Sequence, residues 1–304
     1  MFDTFIHKYL RIPYPLHVYI DKKVKNPVAT VLLLHGMGNS GASWDEVVQK
    51  LPKNVRVISI DLLGFGKSPS PRWLKYSTTV QARSVVATLF SMNINQQLIV
   101  VGHSMGSLVA VELAKKYPLF VKSLVLCSPP FYNDVERKTL LPDPNVVLKR
   151  FYRMMEKYPK NIVEAVPVVT RLNIVGKAFN VTSDNVDIYL AALKASILNQ
   201  TGFKDVKKIQ KPIQLLHGVI DPVVIKQNLD EIVAENKHAK LYVILAGHEL
   251  LGSYIPAVVK AITRLLPAEK QKRAIRPERR QVSKPASHRR TLRADTPRLS
   301  VPKR

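Results

Sequence analysis

The chain has 304 residues, of which 46% are apolar, so it can build a sizeable core and is not a chain that is disordered throughout. Its formal net charge is +25, and its single cysteine, Cys127, excludes an internal disulfide and is typical of a reducing compartment. No apolar run approaches the ~18 residues that a membrane-spanning helix needs, and the N-terminal residues contain no signal-peptide core. We therefore expect a soluble, cytoplasmic protein.

The N-terminal part of the chain is predicted to form strands. Phe5 to Ile12 and Leu16 to Ile20 are short strand-like runs, and the Pro13-Tyr14-Pro15 stretch between them is typical of a turn. Ala29 to Leu34 is an apolar run of the kind found in buried strands, and it is followed directly by His35-Gly36-Met37-Gly38.

The middle of the chain alternates strand and helix patterns. Val55 to Ile60 predicts a strand, Ser77 to Met92 a long helix, and Leu98 to Val101 another buried strand. A further strand is predicted from Val121 to Leu126. Such alternation favours a mostly parallel sheet with helices on its faces.

A glycine-flanked serine lies between the strand that ends at Val101 and the helical pattern that follows. In the pentapeptide Gly102-His103-Ser104-Met105-Gly106, a sharp turn holds the central residue in a strained conformation. Side chains in place of the two glycines would collide with neighbouring backbone, so glycine relieves the crowding. Strand, G-x-S-x-G pentapeptide and helix together resemble the nucleophile elbow of the α/β-hydrolase family.

The resemblance covers residues ~5–266 and implies the α/β-hydrolase fold, with a mostly parallel central sheet flanked by helices and a helical cap inserted after the sixth strand. Residues 1–130 and 206–266 would form the core. Residues 131–205 would form the cap, because they contain helical patterns and no strong strand run. Apolar and aromatic residues that could line an acyl or apolar pocket there are Phe131, Tyr132, Phe151, Met154, Met155, Val168, Phe179 and Tyr189.

Two later residues are the predicted catalytic partners of Ser104. Asp221 lies in the turn after one predicted strand, and His248 follows the last one. A serine hydroxyl is a weak nucleophile at neutral pH, so an imidazole must take its proton and a carboxylate must orient that imidazole. The chain order Ser, Asp, His is the order of this fold, and each residue follows a strand. We therefore predict Ser104, Asp221 and His248 as the catalytic residues.

The resemblance also assigns the oxyanion hole to two backbone groups. By their positions in the H-G-x segment and in the elbow, the N–H groups of Met37 and Met105 would hold the oxyanion, and His35 would order its loop. Asp61 is the competing acid, at the start of a D-x-x-G-x-G-x-S segment that resembles a tight loop of the family. We expect it to close that loop instead, because it precedes Ser104 in the chain.

These residues predict a serine hydrolase that cleaves a carboxylic ester of a small or medium acyl substrate through an acyl-enzyme. No metal cluster, phosphate-binding loop or dinucleotide motif is present in the sequence, so we predict no cofactor and no metal. The same three residues serve thioesterases, C–C bond hydrolases, aminopeptidases, acyltransferases and cofactor-free haloperoxidases, and these alternatives stay open. A non-catalytic ligand receptor on the same fold is the alternative from another class, and the oligomeric state is open.

The last segment, residues 267–304, has a different composition. It carries 13 Lys and Arg residues against 3 Asp and Glu residues and loses the apolar periodicity of the rest. Such a composition cannot bury a core, so we predict a disordered basic tail. The tail could make weak contact with nucleic acid or an anionic membrane, and the alternative is a solvated tail without a defined partner.

Overall fold

A computed structural model describes residues 4–133, 144–171 and 179–267 of the chain. Its centre is a seven-stranded sheet with the order β1-β3-β2-β4-β5-β6-β7. The strands are β1 (Val18–Lys22), β2 (Ala29–Leu34), β3 (Val55–Ile60), β4 (Leu98–His103), β5 (Val121–Cys127), β6 (Ile213–Gly218) and β7 (Ala239–Ile244). Only β1 is antiparallel to its neighbour; the pairs from β3 across to β7 are parallel.

The strand sequences explain why this sheet lies inside the molecule. β2 and β4 are apolar at nearly every position, as expected for parallel strands covered on both faces. Successive side chains point to opposite faces, so Leu32 and Leu34 pack in one core cluster, and Val31 and Leu33 pack in the other. Each fully buried side chain of this kind contributes roughly 1.5–3 kcal/mol.

Helices cover both faces of the sheet. The α-helices are α1 (Asp45–Lys50), α2 (Thr78–Ser91), α3 (Met105–Lys116), α4 (Pro144–Lys157), α5 (Pro159–Arg171), α6 (Val186–Ala192), α7 (Gly202–Val206), α8 (Lys226–Glu235) and α9 (Tyr254–Arg264). Short helices of other types span Phe5–Tyr9, Gly41–Trp44 and Leu193–Leu198. α2, α3 and α8 pack on one face, and α1 and α9 pack on the other.

The prediction of a strand from Phe5 to Ile12 is wrong. The structure has a short helix there, Phe5–Tyr9. Its apolar residues Phe5, Ile6, Tyr9 and Leu10 recur at helical rather than alternating spacing, and that spacing places them side by side on a helix. The next predicted strand begins two residues later than expected, at Val18. Consequently the segment 131–205 follows the fifth strand, not the sixth.

The helices predicted within residues 131–205 are confirmed where the structure describes them. Helices α4 and α5 lie in this segment, and α6 continues into the short helix Leu193–Leu198. None of the described residues of this segment belongs to a strand. The predictions for residues 134–143, 172–178 and 268–304, which include nearly all of the basic tail, lie outside the described residues.

Within residues 4–133, 144–171 and 179–267, no helix combines the length and the apolar character that a membrane-spanning helix requires.

Candidate active site

Ser104 lies in a sharp turn between β4 and α3. Its backbone angles are φ 50° and ψ −120°, in the region that L-residues rarely adopt. A Cβ atom on Gly102 would lie 2.3 Å from the carbonyl oxygen of Gly106, and one on Gly106 would lie 2.2 Å from the carbonyl oxygen of Leu34. The two glycines therefore allow the strand and the helix to approach closely enough to form the turn.

The structure brings Ser104, His248 and Asp221 together. His248 Nε2 lies 3.0 Å from Ser104 Oγ, and His248 Nδ1 lies 3.0 and 2.9 Å from the two carboxylate oxygens of Asp221. Because a carboxylate only accepts hydrogen bonds, Nδ1 carries the proton, and Nε2 is left free to accept the serine proton. The three residues meet because they follow β4, β6 and β7, and parallel strands end at the same edge of the sheet.

The surroundings of Asp221 keep its carboxylate ionised. Burial alone would raise its pKa, but the hydrogen bond and charge of His248, the N–H of Val223 and the hydroxyl of Ser128 hold the pKa below its ordinary value. Oδ1 also accepts hydrogen bonds from the N–H groups of Val223 at 2.9 Å and Val224 at 3.2 Å. These bonds hold the carboxylate in the orientation that contacts the imidazole.

The pKa of His248 is shifted in the opposite direction, upward. Burial would lower its pKa, but the hydrogen bond to Asp221, the charge of Asp221 and the charge of Glu249 outweigh burial and raise the pKa above its ordinary value. The pair therefore favours a positive imidazolium beside a negative carboxylate, which is the charge state needed after a serine gives up its proton.

A second histidine, His103, holds the loop that carries His248. Its Nε2 lies 2.8 Å from the backbone oxygen of His248, so Nε2 carries the proton and donates it. Burial lowers the pKa of His103 and keeps the ring neutral. This hydrogen bond joins two residues that are 145 positions apart in the chain, so no local sequence pattern could predict it.

The loop with Met37 reaches the same site. His35 Nδ1 donates to the carbonyl of Gly36 at 2.7 Å, and its Nε2 accepts from the N–H of Leu62 at 2.8 Å. Burial lowers the pKa of His35 to about 4, so the ring stays neutral and orders the loop as predicted. Met37 borders the cavity beside Ser104, and Met105 is the first residue of α3, whose N–H has no acceptor within its own helix.

The carboxylate of Asp61 is used to close loops. It accepts hydrogen bonds from the N–H groups of Gly41 at 2.6 Å and Lys67 at 2.9 Å. It also bonds His17 Nδ1 at 2.8 Å. Gly41 lies before α1, Lys67 after β3 and His17 before β1, in agreement with the expectation that Asp61 closes a loop.

Ser104 and His248 border a cavity of about 220 Å³ that is mostly apolar. Four of the eight predicted pocket residues line it, namely Tyr132, Met155, Phe179 and Tyr189. Of the others, Phe131 is buried in the core, Met154 and Val168 are exposed to solvent, and the side chain of Phe151 lies outside the described part. Glu249 and four apolar lining residues, Leu193, Ile197, Leu198 and Val223, were not predicted from the sequence.

Phe179 and Asn180, which precede α6, contact the loop that carries Met37. The N–H of Asn180 donates to the carbonyl of Gly38 at 2.7 Å. A Cβ atom on Gly38, whose φ is +76°, would lie 2.4 Å from the ring of Phe179. This contact places the Phe179 ring over one wall of the cavity, and no pattern in the sequence predicted it.

No group of three or more His, Cys, Asp or Glu side chains in the described part of the chain could hold a metal ion. Cys127 is buried at the end of β5, and burial raises the pKa of its thiol.

Comparison with known proteins agrees with the architecture. A family model described as alpha/beta hydrolase fold matches residues 29–165. An esterase from Exiguobacterium antarcticum superposes with a TM-score of 0.64, covering 83% of this chain and 95% of that chain at 17% identity. The enol-lactonase from Burkholderia xenovorans gives a TM-score of 0.63, covering 83% of this chain and 96% of that one at 20% identity. The chain has the α/β-hydrolase fold.

Sequence similarity to curated proteins is more local. A probable lysophospholipase of Arabidopsis thaliana, BODYGUARD 5, is 35% identical over 137 residues, covering 43% of this chain and 31% of that protein. The chain thus spans about a third of the length of this relative.

Proposed function

We propose that this protein is a serine hydrolase that cleaves a carboxylic ester through an acyl-enzyme. The observation that carries the proposal is the geometry of three side chains: Ser104 Oγ lies 3.0 Å from His248 Nε2, and His248 Nδ1 bonds both oxygens of Asp221. This is the arrangement that lets a hydroxyl lose its proton while it attacks a carbonyl carbon.

The proposed reaction has two halves. In the first, Ser104 Oγ forms a bond to the ester carbon, its proton passes to His248 Nε2, and His248 then gives that proton to the departing alkoxide as the C–O bond breaks. In the second, His248 takes a proton from water, the resulting hydroxide attacks the acyl-enzyme, and Ser104 leaves with the proton restored. The N–H groups of Met37 and Met105 would stabilise the oxyanion in both halves, each by roughly 2.7–4 kcal/mol.

The cavity supports an apolar acyl group as substrate. Its wall combines aromatic rings and aliphatic side chains, such as Phe179, Tyr189 and Leu193, around the serine hydroxyl. Its volume of about 220 Å³ suits a small or medium acyl chain. The names lysophospholipase, esterase and enol-lactonase on similar proteins all denote hydrolysis of an acyl ester, and they support the same class here.

The proposal is tested with a fluorophosphonate probe and p-nitrophenyl esters of increasing acyl length. We expect the native protein to be labelled and to turn over short and medium esters, and Ser104→Ala to lose labelling and at least about 10³-fold in kcat. Ser70→Ala, at an exposed serine, is the matched control and should behave as the native protein.

Equal labelling or equal turnover in the native protein and in Ser104→Ala would overturn the proposal. Absent labelling in a folded native protein would favour the non-catalytic receptor. If the serine is labelled but no ester reacts, thioester and C–C substrates are the next to be assayed, because they use the same nucleophile.

A further inference from the structure

A group of apolar side chains stands in solvent at the N-terminal end of the described chain. We define the docking patch as Phe5, Tyr9, Leu10, Ile12 and Trp73, whose exposed fractions range from 37% to 68%. Four of these residues belong to the short helix Phe5–Tyr9 and the turn after it, and Trp73 belongs to the loop before α2. Large side chains of this kind normally lose contact with water when a protein folds or binds.

A ring contact and Lys8 link three residues of the patch, Phe5, Tyr9 and Trp73. The rings of Phe5 and Tyr9 lie 6.3 Å apart, and the ring of Trp73 lies 6.3 Å from that of Tyr14. Lys8 connects the two groups, because its Nζ lies 5.9 Å from the ring centre of Tyr9 and 6.0 Å from that of Trp73. The patch is therefore a continuous surface that includes both the helix and the loop.

The rim of the docking patch is basic. Lys8, Arg11 and Arg83 line a groove of about 160 Å³ next to Trp73, and Arg83 donates to the carbonyl of Arg11 at 2.9 Å. Arg72 and Lys75 flank Trp73 in its loop and are exposed. Arg72 is paired with Asp187 at 3.4 Å, and Lys8, Arg11, Arg83 and Lys75 contribute positive charge to the rim.

Apolar side chains with a basic rim fit one partner best. We propose that the docking patch binds the surface of an anionic phospholipid bilayer, with its rings and aliphatic side chains at the level of the head groups. Trp and Tyr prefer this level of a membrane, and Lys and Arg around them are attracted to anionic lipids. A nucleic acid duplex presents mainly phosphates and polar groove edges, whereas the head-group boundary of a bilayer offers apolar surface to Leu10 and Ile12.

The docking patch precedes β1 in the chain, and β1 begins at the edge of the sheet where Ser104 is found. β1 begins opposite the end of β3, since Val18 pairs with Ile60 and the N–H of Asp61 donates to the carbonyl of His17. β1 and β4 are three strand spacings apart in the sheet, a distance of about 14 Å. Binding through this surface would bring the edge with the serine close to the membrane, although the docking itself does not depend on the proposed reaction.

Tryptophan fluorescence tests the proposal on the full chain. The protein has two tryptophans; Trp44 is fully buried and Trp73 is exposed by more than a third. With vesicles of phosphatidylcholine and phosphatidylglycerol, we expect brominated lipid chains to quench the emission of Trp73. Quenching should disappear in Trp73→Phe and should be much weaker with vesicles of phosphatidylcholine alone.

A matched pair of variants tests the same surface by vesicle sedimentation. Tyr9→Ser combined with Leu10→Ser should reduce the affinity for anionic vesicles about tenfold. Phe90→Ser combined with Leu119→Ser, two exposed apolar residues outside the patch, should leave it unchanged. Lys8→Gln with Arg11→Gln should weaken binding to anionic vesicles in the same direction.

Three results would overturn the proposal. The first is vesicle binding without quenching of Trp73 and without an effect of the patch variants, which would assign binding to the basic tail. The second is a dimer in solution that the Tyr9 and Leu10 variant dissociates, without vesicle binding, which would assign the patch to a second copy of the chain. The third is quenching that persists in Trp73→Phe.

Discussion

At the level of single residues, the charge on His248 determines the pH range in which the proposed hydrolase works. Its imidazole must be neutral to accept the serine proton, and it is surrounded by Asp221, Glu249 and the neutral ring of His103. Since the two carboxylates raise its pKa above the ordinary value, kcat/KM should fall on the acid side at a pH above 6.5.

Glu249→Gln tests this electrostatic account. The substitution removes one negative charge that favours the imidazolium, so the pKa of His248 should fall and the acid limb of the pH–rate profile should move to lower pH. The measurement is kcat/KM for a neutral p-nitrophenyl ester between pH 5 and 9. Glu46→Gln, at an exposed glutamate, is the control. An acid limb that stays in place or moves to higher pH would contradict the prediction.

Gly106 is the residue at which the elbow is most crowded. Its added Cβ would meet the backbone oxygen of Leu34 at 2.2 Å, and backbone cannot swing aside as a flexible side chain does. We expect Gly106→Ala to lower the free energy of unfolding by about 1–3 kcal/mol, measured by urea denaturation. Gly247→Ala is the matched control, because a Cβ there meets no atom within 4 Å. Equal stability of the two variants would show that the turn relaxes without cost.

At the level of elements, Tyr254 ties helix α9 to the ends of two strands. Its buried hydroxyl donates to the carbonyl of Leu216 at 2.9 Å and accepts from the N–H of Ser128 at 2.8 Å. Ser128, with φ 47°, follows β5 and also lowers the pKa of Asp221. The hydroxyl therefore fixes the backbone directly behind the carboxylate that orients His248.

Removal of this hydroxyl should lower the stability of the fold. Tyr254→Phe leaves buried polar groups of Ser128 and Leu216 with one partner fewer, so we expect the free energy of unfolding to fall by about 1–3 kcal/mol. Tyr242→Phe keeps the ring that stacks under Arg264 and should change stability little. Both variants are measured by urea denaturation. An unchanged free energy of unfolding in Tyr254→Phe would mean that water replaces the hydroxyl.

At the level of the whole molecule, positive charge is concentrated at one end of the sequence. The net charge of +25 includes the 13 Lys and Arg residues of the last 38 positions. Because such charges bind polyanions by releasing counterions, their effect should fall steeply with salt. This separates the predicted role of the tail from the docking patch, where apolar contacts contribute as well.

A chain that ends at Pro267 tests the role of the tail. Compared with the full chain, it should bind DNA or anionic vesicles at least about tenfold more weakly at 50 mM salt, with a smaller salt slope. Ester turnover and the quenching of Trp73 by brominated lipid should persist, because neither depends on the removed residues. Equal salt-dependent binding by both chains would remove the tail as a binding element.

Much of the sheet and part of the site could be predicted because the signals are local. Strands β2 and β4 are short apolar runs, and the close approach of Gly102 to Gly106 follows from the spacing of the pentapeptide itself. Chain order then picked out Asp221 and His248 as partners for Ser104, and the structure brings all three within hydrogen-bonding distance. Their catalytic role stays a prediction until the Ser104→Ala experiment is done.

The sequence by itself determined the sheet, the turn at Ser104 and the residues that follow each strand, because apolar runs and glycine spacing act on neighbouring residues. Only the tertiary structure decided that Glu249 lines the cavity and that His103 and Tyr254 hold backbone near the site. Each of these depends on a partner far away in the chain: Tyr254 meets Ser128 across 126 positions. Such contacts depend on how the elements pack, and local sequence patterns do not determine that packing.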